Sequence, residues 1–456
     1  MKLLIKNGRI ITSNKIIDAD ILCENKKISK IKSNISSKNA DEIIDASGKY
    51  IFPGGIDPHV HMHLPTQAGY SSDDFYSGSI AALVGGTTTI IDFVTPHKGQ
   101  SLIEALKERK KEASNSIIDY SFHVSPIEWN SDTKEEIKTL IKKEGITSFK
   151  VYMAYKDTIG LEDEDIFNVM KAVGKYGGIV TMHCESGDEI EEIRNSLAKE
   201  RKLTPWYHPL SRPAKMEAKA VKKAIKLAKK SKCPLYIVHV SSKKSLKYIR
   251  KAQKKGQKIF AETCPQYLLL DDSKYIGRFK DAAPYIMSPP LRKPKDNKAL
   301  WQAIQKEIIQ TIGTDHCPFM LEQKKLGILD FRKIPNGAGG VEHRLALIFT
   351  YGVLENKISL NRFVNIISTN AAKIFGLYPQ KGEITAGADA DLIIWNPEIE
   401  NTISKKTHHQ NCDNNIYEGF KTKGEAEYVI SNGEVMVKKG QIIKENNGSF
   451  IKRFNK

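Results

Sequence analysis

Short apolar runs alternate with amphipathic stretches through the middle of the chain, roughly residues 53–379. The runs have the length of buried strands, and the stretches between them show helical periodicity. The predicted strands are residues 87–94, 117–124, 148–153, 179–183, 235–240, 259–263 and 308–313, and the clearest predicted helices are residues 101–111, 134–143, 163–175, 215–230 and 243–255. This alternation predicts an α/β fold with a parallel sheet, and the number of units favours a closed (β/α)8 TIM barrel.

The two ends of the chain have a different, β-rich pattern. Residues 17–23 and 28–31 alternate at period two, and Asn7-Gly8 between apolar runs predicts a hairpin turn. Near the other end, residues 390–395 predict a strand and Asn432-Gly433 predicts a second hairpin. We therefore predict a small β-sandwich built from residues 1–52 and 380–456, the latter including a tail, with residues 53–379 as the barrel domain.

The composition is that of a globular protein without a membrane segment. No stretch of the 456 residues approaches the roughly 18 apolar positions that cross a bilayer. The N-terminus has only Leu3-Leu4-Ile5 before Lys6, too little for a signal-peptide core. The six cysteines lie far apart without a Cys-x-x-Cys pair, which is typical of reduced thiols. We expect a cytoplasmic protein with no membrane partner.

The net charge of +18 raises the possibility of nucleic-acid binding. However, the lysines are spread over helix faces such as residues 219–232 and 243–258, where apolar positions separate them. No aromatic-rich basic stripe accompanies them. We interpret them as a solvated surface and predict no nucleic-acid partner.

Candidate chemistry begins with His59 and His61. On a strand, residues i and i+2 point to the same face, so the two rings could bind one metal ion; alternatively, they are ordinary strand histidines. Further ligand-type residues lie in or just after apolar runs of their own, at Lys150, His183, His239 and Asp315. In a barrel all six converge on the carboxyl end of the strands, where such barrels place their active sites.

Lys150 lies between Phe149 and Val151 on a predicted buried strand. Burial disfavours the ammonium form and lowers the pKa, and a neutral amine can add carbon dioxide to form a carbamate, an anionic oxygen ligand able to bridge two metal ions. Alternatively, the lysine is paired with a carboxylate or extends to the barrel mouth. The residues alone leave both interpretations open.

Several long motifs resemble the dihydropyrimidinase/D-hydantoinase family of cyclic amidohydrolases along nearly the whole chain. They are GGIDPHVH at 54–61, DFYSG at 74–78, GGTT at 85–88, SFKVYMAYK at 148–156, AETCPQY at 261–267, MSPPLR at 287–292, GTDHCP at 313–318, IPNG at 334–337 and GVEHR at 340–344. Their number and fixed order make the resemblance specific.

The resemblance implies a binuclear zinc site. One zinc ion would be held by His59, His61, Asp315 and carboxylated Lys150 (N6-carboxylysine). The second would be held by His183, His239 and the same carbamate. A hydroxide that bridges the metals would attack the ring amide carbonyl. Asp315 would carry the proton to the departing nitrogen.

The resemblance also implies a substrate and its binding residues. Tyr155 would hydrogen-bond the developing oxyanion, while Ser288 and Asn336 would bind the cyclic imide, largely through backbone groups. The ring of a dihydropyrimidine or 5-substituted hydantoin would open to an N-carbamoyl amino acid. Such a dihydropyrimidinase or D-hydantoinase would act in pyrimidine catabolism, and family members are commonly homotetramers.

Three alternatives compete with this interpretation. An allantoinase-like hydrolase is the nearest, whereas a dihydroorotase would be expected to have an arginine at the position of His63. A non-catalytic dihydropyrimidinase-like scaffold would be expected to have lost metal ligands, and here every ligand position is filled. Residues 63–70, Ile159 and Cys184 depart from the commoner family pattern, which leaves the preferred ring substituent open.

Overall fold

A computed structural model of the protein describes residues 2–38 and 40–454. Within these residues, the middle of the chain forms an eight-stranded sheet in which each strand lies beside the next in chain order. All its pairings are parallel. The strands are Gly55–Asp57, Thr87–Val94, Asp119–Val124, Ser148–Tyr152, Ile179–His183, Leu235–Ile237, Ile259–Thr263 and Thr311–Ile312.

The sheet closes into a barrel just beyond its last strand. Val60 and His316 form an isolated parallel bridge, and the His61 N–H donates to the His316 carbonyl at 2.8 Å. These contacts join the segments that follow the first and eighth strands. The predicted TIM barrel is therefore confirmed.

Helices and helical turns fill the connections between strands. The α-helices are Phe75–Val84, Leu102–Glu112, Ser131–Thr139, Asp163–Lys175, Gly187–Lys199, Tyr207–Ser211, Ala214–Ser231, Lys243–Gln253, Pro265–Leu269, Phe279–Ala282, Pro294–Gln305, Leu321–Lys324, Arg344–Ile348, Leu360–Val364 and Asn370–Phe375. The 3-10 turns are Ala113–Asn115, Asp272–Tyr275, Ala283–Tyr285, Lys325–Gly327 and Phe331–Lys333, and the π-helical turns are Leu140–Glu144, Phe349–Leu354 and Asn365–Thr369. No helix among the described residues is long and apolar enough to cross a membrane.

Both ends of the chain build a second sheet, as predicted. It contains nine strands within the described residues: Lys2–Ile11, Ile16–Glu24, Lys27–Lys32, Glu42–Asp45, Tyr50–Pro53, Leu392–Thr402, Lys421–Ser431, Glu434–Lys438 and Gln441–Ile442. The N-terminal and C-terminal parts meet where Tyr50–Pro53 pairs antiparallel with Leu392–Trp395. A two-stranded hairpin, Pro65–Thr66 with Gly69–Tyr70, stands apart from both sheets.

The structure corrects one predicted hairpin turn and confirms the other. The predicted hairpin turn at Asn7-Gly8 is wrong, because Lys2–Ile11 is one strand whose pairing shifts between Ile5 and Gly8. Asn7 has φ +59°, and Asn7-Gly8 forms a bulge within this strand. The Ile51 side chain fills the space that a side chain at position 8 would need, which explains the glycine there. The predicted turn at Asn432-Gly433 is confirmed, since it joins Lys421–Ser431 to Glu434–Lys438.

Candidate metal centre and active site

Five of the six predicted ligand residues lie at the carboxyl ends of four barrel strands. His59 and His61 follow the first strand rather than lying on it, His183 ends the fifth, His239 follows the sixth and Asp315 follows the eighth. Lys150 is in the middle of the fourth strand. Because the strands are parallel, these residues face one end of the barrel.

Three of these residues converge directly. Nε2 of His59 and Nε2 of His61 each lie 3.2 Å from Oδ1 of Asp315. Their potential ligand atoms lie within 4.8 Å of one another, close enough to hold one metal ion. Burial opposes ionisation of Asp315, but His59 and His61 outweigh it and keep the pKa of this carboxyl well below its usual range.

A second pair lies beside this group. Nδ1 of His183 and Nε2 of His239 are 3.0 Å apart, and the rings of His239 and His59 have centroids 5.4 Å apart. Burial keeps the pKa of His239 well below that of an ordinary imidazole. Two neutral ring nitrogens that face each other at this distance are suited to bind a cation between them.

Lys150 lies beneath the two groups. Its side chain is buried, and within the described residues it makes no hydrogen bond or ion pair. Its Nζ lies 4.7 Å from the ring centroid of Phe93, whose ring packs against both His59 and His61. Burial lowers the pKa of Lys150 to about 8, although Asp315 and Glu262 oppose the shift.

A buried carboxylate, Glu262, orients His59. Its Oε1 lies 2.7 Å from Nδ1 of His59 and accepts the His239 N–H at 3.0 Å, while Oε2 accepts the Tyr236 hydroxyl at 2.7 Å. With Nδ1 held by the carboxylate, Nε2 of His59 faces the site and has no hydrogen-bond partner among the described residues. Burial alone would lower the pKa of His59, but Glu262 and Asp315 raise it to about 9.

Glu185 and Arg212 orient His183 in the same way. Nε2 of His183 lies 3.0 Å from Oε2 of Glu185, which accepts a hydrogen bond from Arg212 at 2.6 Å. This arrangement turns Nδ1 of His183 towards His239. Burial opposes ionisation of Glu185, yet Arg212 and His183 lower its pKa to about 2.

The residues therefore fit bound metal ions. In the part of the chain that the structure describes, the buried Nε2 of His59 and Nδ1 of His61 lack hydrogen-bond partners. His59 and His183 are held by carboxylates on the side away from the site. Neutral imidazoles and a carboxylate are typical metal ligands, and such outer carboxylates commonly orient them. Lys150 adds a buried amine that forms no ion pair within the described residues.

The predicted substrate-binding residues also come together. The Ser288 hydroxyl donates to Oδ1 of Asn336 at 2.9 Å, and Ser288 lies close enough to Tyr155 to affect its pKa. The Tyr155 and His183 rings have centroids 5.3 Å apart. The predicted substrate-binding residues therefore lie beside the metal-ligand cluster, by which we mean the predicted ligands His59, His61, Lys150, His183, His239 and Asp315. Burial raises the pKa of Tyr155, although Arg212 and Ser288 oppose the shift.

Three residues of this site have a strained backbone. Tyr155, His239 and Asp315 have φ values of +61°, +37° and +54°. Such values cost free energy for residues other than glycine and cluster at functional sites. In each case the strained residue directly follows, or lies a few positions beyond, a barrel strand.

Neighbouring residues that could be mistaken for site residues have other surroundings. Cys184 and Cys317 are buried, and burial raises the pKa of both thiols, which disfavours the nucleophilic thiolate. His316 lies 3.0 Å from Asp73 and accepts the Gly340 N–H, which is a structural arrangement. His63 stacks on Tyr70 of the small hairpin, with ring centroids 3.9 Å apart.

The sequence analysis missed the orienting residues Glu262, Glu185 and Arg212. Glu262 and Glu185 had a weak local signal, since each is a carboxylate within or just after an apolar strand. Arg212 had none. Their partners could not be anticipated, because Glu262 and His59 are 203 positions apart in the chain.

Comparison with known proteins places these observations in a family. Residues 50–436 match the amidohydrolase family. The chain is 43% identical to a D-hydantoinase of Geobacillus stearothermophilus, over 99% of this chain and 97% of the relative. It is 41% identical to a dihydropyrimidinase of Rattus norvegicus, over 99% of this chain and 89% of that protein. A dihydropyrimidinase structure from Brevibacillus agri superimposes with a TM-score of 0.98 at 40% identity, covering 100% of this chain and 99% of the other.

Proposed function

Because the chain belongs to the dihydropyrimidinase and D-hydantoinase family of amidohydrolases, we propose that it hydrolyses the cyclic amide bond of dihydropyrimidines or 5-substituted hydantoins. The products are N-carbamoyl amino acids. The observation that carries the proposal is the convergence of four histidines, Asp315 and the unpaired Lys150 at one end of the barrel. We also propose a homotetramer in the cytoplasm, with the barrel domain at residues 53–379.

We assign His59, His61 and Asp315 to one zinc ion, His183 and His239 to a second, and carboxylated Lys150 to both. The lowered pKa of Lys150 supports this assignment, because a pKa of about 8 leaves a fraction of the amine neutral and able to add carbon dioxide. The carbamate would supply the negative charge that the second histidine pair lacks. When bound, two zinc ions lower the pKa of a water molecule and polarise a carbonyl group.

The remaining steps belong to the chain's own residues. Backbone groups beside Ser288 and Asn336 bind the imide of the ring. Tyr155 keeps its hydroxyl hydrogen because burial raises its pKa, so it donates a hydrogen bond to the carbonyl oxygen as negative charge develops there. Asp315 accepts a proton from the attacking water and delivers it to the departing ring nitrogen.

The first experiment is elemental analysis of protein purified without chelator, with dihydrouracil and a 5-substituted hydantoin assayed on the same sample. We expect about two zinc ions per chain together with ring opening, detected as the N-carbamoyl product. Two metal ions without turnover of either ring would direct the search to allantoin. Absence of both metal and activity after addition of zinc and bicarbonate would reject the enzyme proposal in favour of a binding scaffold.

A further inference from the structure

Lys324 is a buried lysine outside the metal-ligand cluster. It ends the short helix Leu321–Lys324, beyond the eighth barrel strand, and only 1% of its surface is exposed. No carboxylate pairs with it within the described residues. An ammonium group in such a place loses its hydration without gaining an opposite charge, and burial lowers the pKa of Lys324 to about 7.

Three backbone carbonyls surround the Lys324 ammonium group. Nζ donates to the carbonyls of Pro335 and Gly337 at 2.8 Å each and to the carbonyl of Ile286 at 3.2 Å. These are the three hydrogen bonds that one ammonium group can donate. The side chain therefore ties two chain segments that are about fifty positions apart.

These two segments carry the substrate-binding residues. Ile286 precedes Ser288 by two positions, and Pro335 and Gly337 flank Asn336. One direct backbone hydrogen bond also joins the segments, from the Gly337 N–H to the Ile286 carbonyl at 3.0 Å.

The residue before Lys324 adds a third segment to the same junction. The Gln323 side-chain amide donates to the carbonyls of Ala68 and Tyr70 at 3.0 and 2.8 Å. These carbonyls belong to the small hairpin beside His63. Through Gln323 and Lys324, the helix Leu321–Lys324 thus contacts the hairpin, the Ser288 segment and the Asn336 segment. Neither Gln323 nor Lys324 is one of the proposed metal ligands.

We propose that Lys324 is a positioning residue for substrate binding, which sets the spacing between the Ser288 segment and the Asn336 segment. This inference rests on the proposed function, which places the cyclic imide against these two segments. A hydrocarbon side chain at position 324 would leave three buried carbonyls without one of their donors, and the segments would separate or admit water. The metal ligands would stay in place.

The test is Lys324→Met, which keeps the length of the side chain and removes its donors. We expect KM for dihydrouracil to rise about tenfold, equivalent to 1.4 kcal/mol, with kcat changed less than about threefold. Zinc content should equal that of the unchanged protein. Lys325→Met is the matched control, because Lys325 is exposed and pairs with Glu322 on the surface; its kinetics should be unchanged.

A second readout does not depend on turnover. Amide hydrogen exchange in Lys324→Met should accelerate at residues 286–288 and 336–338 and stay unchanged at the strands that carry the histidines. Unchanged exchange at both segments, or a fall in kcat at unchanged KM, would overturn the inference. Should Lys324→Met fail to fold, Lys324→Arg keeps the charge and the donors in a larger group, and we expect a KM increase of at least about threefold at similar kcat. An unchanged KM in a folded Lys324→Arg would likewise count against the inference.

The two proposals fail in different ways. Absence of ring opening by the unchanged protein would reject the proposed function, whereas the exchange measurement would still test whether Lys324 joins the two segments. Ring opening with no response to either substitution at Lys324 would reject the positioning role alone.

Discussion

Substitution of Lys150 can tell a site bridged by a lysine carbamate from a site built from histidines and Asp315 alone. It is buried without a hydrogen bond or ion pair in the described part of the chain, and burial lowers its pKa to about 8. We predict that Lys150→Ala loses both zinc ions and ring-opening activity, and that short carboxylic acids restore part of the activity by replacing the carbamate. Elemental analysis and assays with and without added acetate or propionate test this.

A surface lysine provides the control for Lys150. Lys156 lies six positions after Lys150 in the chain. Its Nζ pairs with Glu162 at 2.9 Å and with Asp188 at 2.8 Å. Lys156→Ala should keep both metals and respond to no added acid. Full zinc content in Lys150→Ala would show that the lysine is not a shared ligand.

The Tyr155 hydroxyl is predicted to act on the transition state rather than on metal binding. Removing one donor from an oxyanion site typically costs about 10²–10³ in kcat. We therefore expect Tyr155→Phe to lower kcat by about that factor with zinc content unchanged, as measured by steady-state kinetics and elemental analysis. Tyr176→Phe, at the end of the helix Asp163–Lys175, is the control and should retain full kcat.

The sequence predicts those site residues that are marked by their neighbours in the chain, such as a polar residue directly after an apolar run. His59, His61 and Asp315 each follow an apolar run, and the structure places them together. Arg212 and Lys324 could not be found this way, because each lies outside a strand and its role comes from contacts between segments distant in sequence. Pairing of that kind becomes visible only in three dimensions.

Among the elements, the seventh barrel strand supports the site through Glu262. This residue contacts His59, beyond the first strand, and the backbone of His239, beyond the sixth. Glu262→Gln keeps the size of the side chain but removes its charge. Because such outer carboxylates fix ring orientation and raise ligand basicity, we expect zinc affinity to fall about 10–100-fold.

Chelator competition followed by zinc analysis measures this affinity. The control is Glu307→Gln, since Glu307 is exposed and lies 3.6 Å from Arg362. Equal zinc retention by Glu262→Gln and the control would mean that Glu262 acts only on packing.

The hydrophobic pattern predicts the positions of the barrel strands correctly, but it predicts their lengths less accurately. Residues 308–313 predict the eighth strand, whereas the structure has only Thr311–Ile312 as strand. The Gly313 N–H still donates to the Thr263 carbonyl at 3.1 Å, so the extended backbone continues beyond the regular pairing. Hydrophobicity reports burial, whereas a strand boundary depends on hydrogen bonds with a neighbour that is remote in sequence.

Across the whole molecule, one buried ion cluster joins the barrel to the terminal sheet. Nζ of Lys381 lies 2.5 Å from Asp119 and Asp391 and 3.2 Å from Asp389. Asp119 begins the third barrel strand, at the end opposite the proposed metal ligands, and Asp391 lies next to the strand Leu392–Thr402. The three carboxylates resemble a metal site by spacing, but the lysine already occupies their centre.

We predict that Lys381→Met destabilises the fold without changing the active site. Removing the only buried cation of the cluster leaves its carboxylates without their shared partner, and breaking such buried pairs costs about 3–5 kcal/mol. Urea unfolding should show a loss of this size, while KM and zinc content of the folded variant stay unchanged, because the cluster lies at the other end of the barrel. Lys27→Met, which removes a half-exposed partner of Asp389, should cost under about 1 kcal/mol. A loss below 1 kcal/mol in Lys381→Met as well would mean that the cluster does not hold the two sheets together.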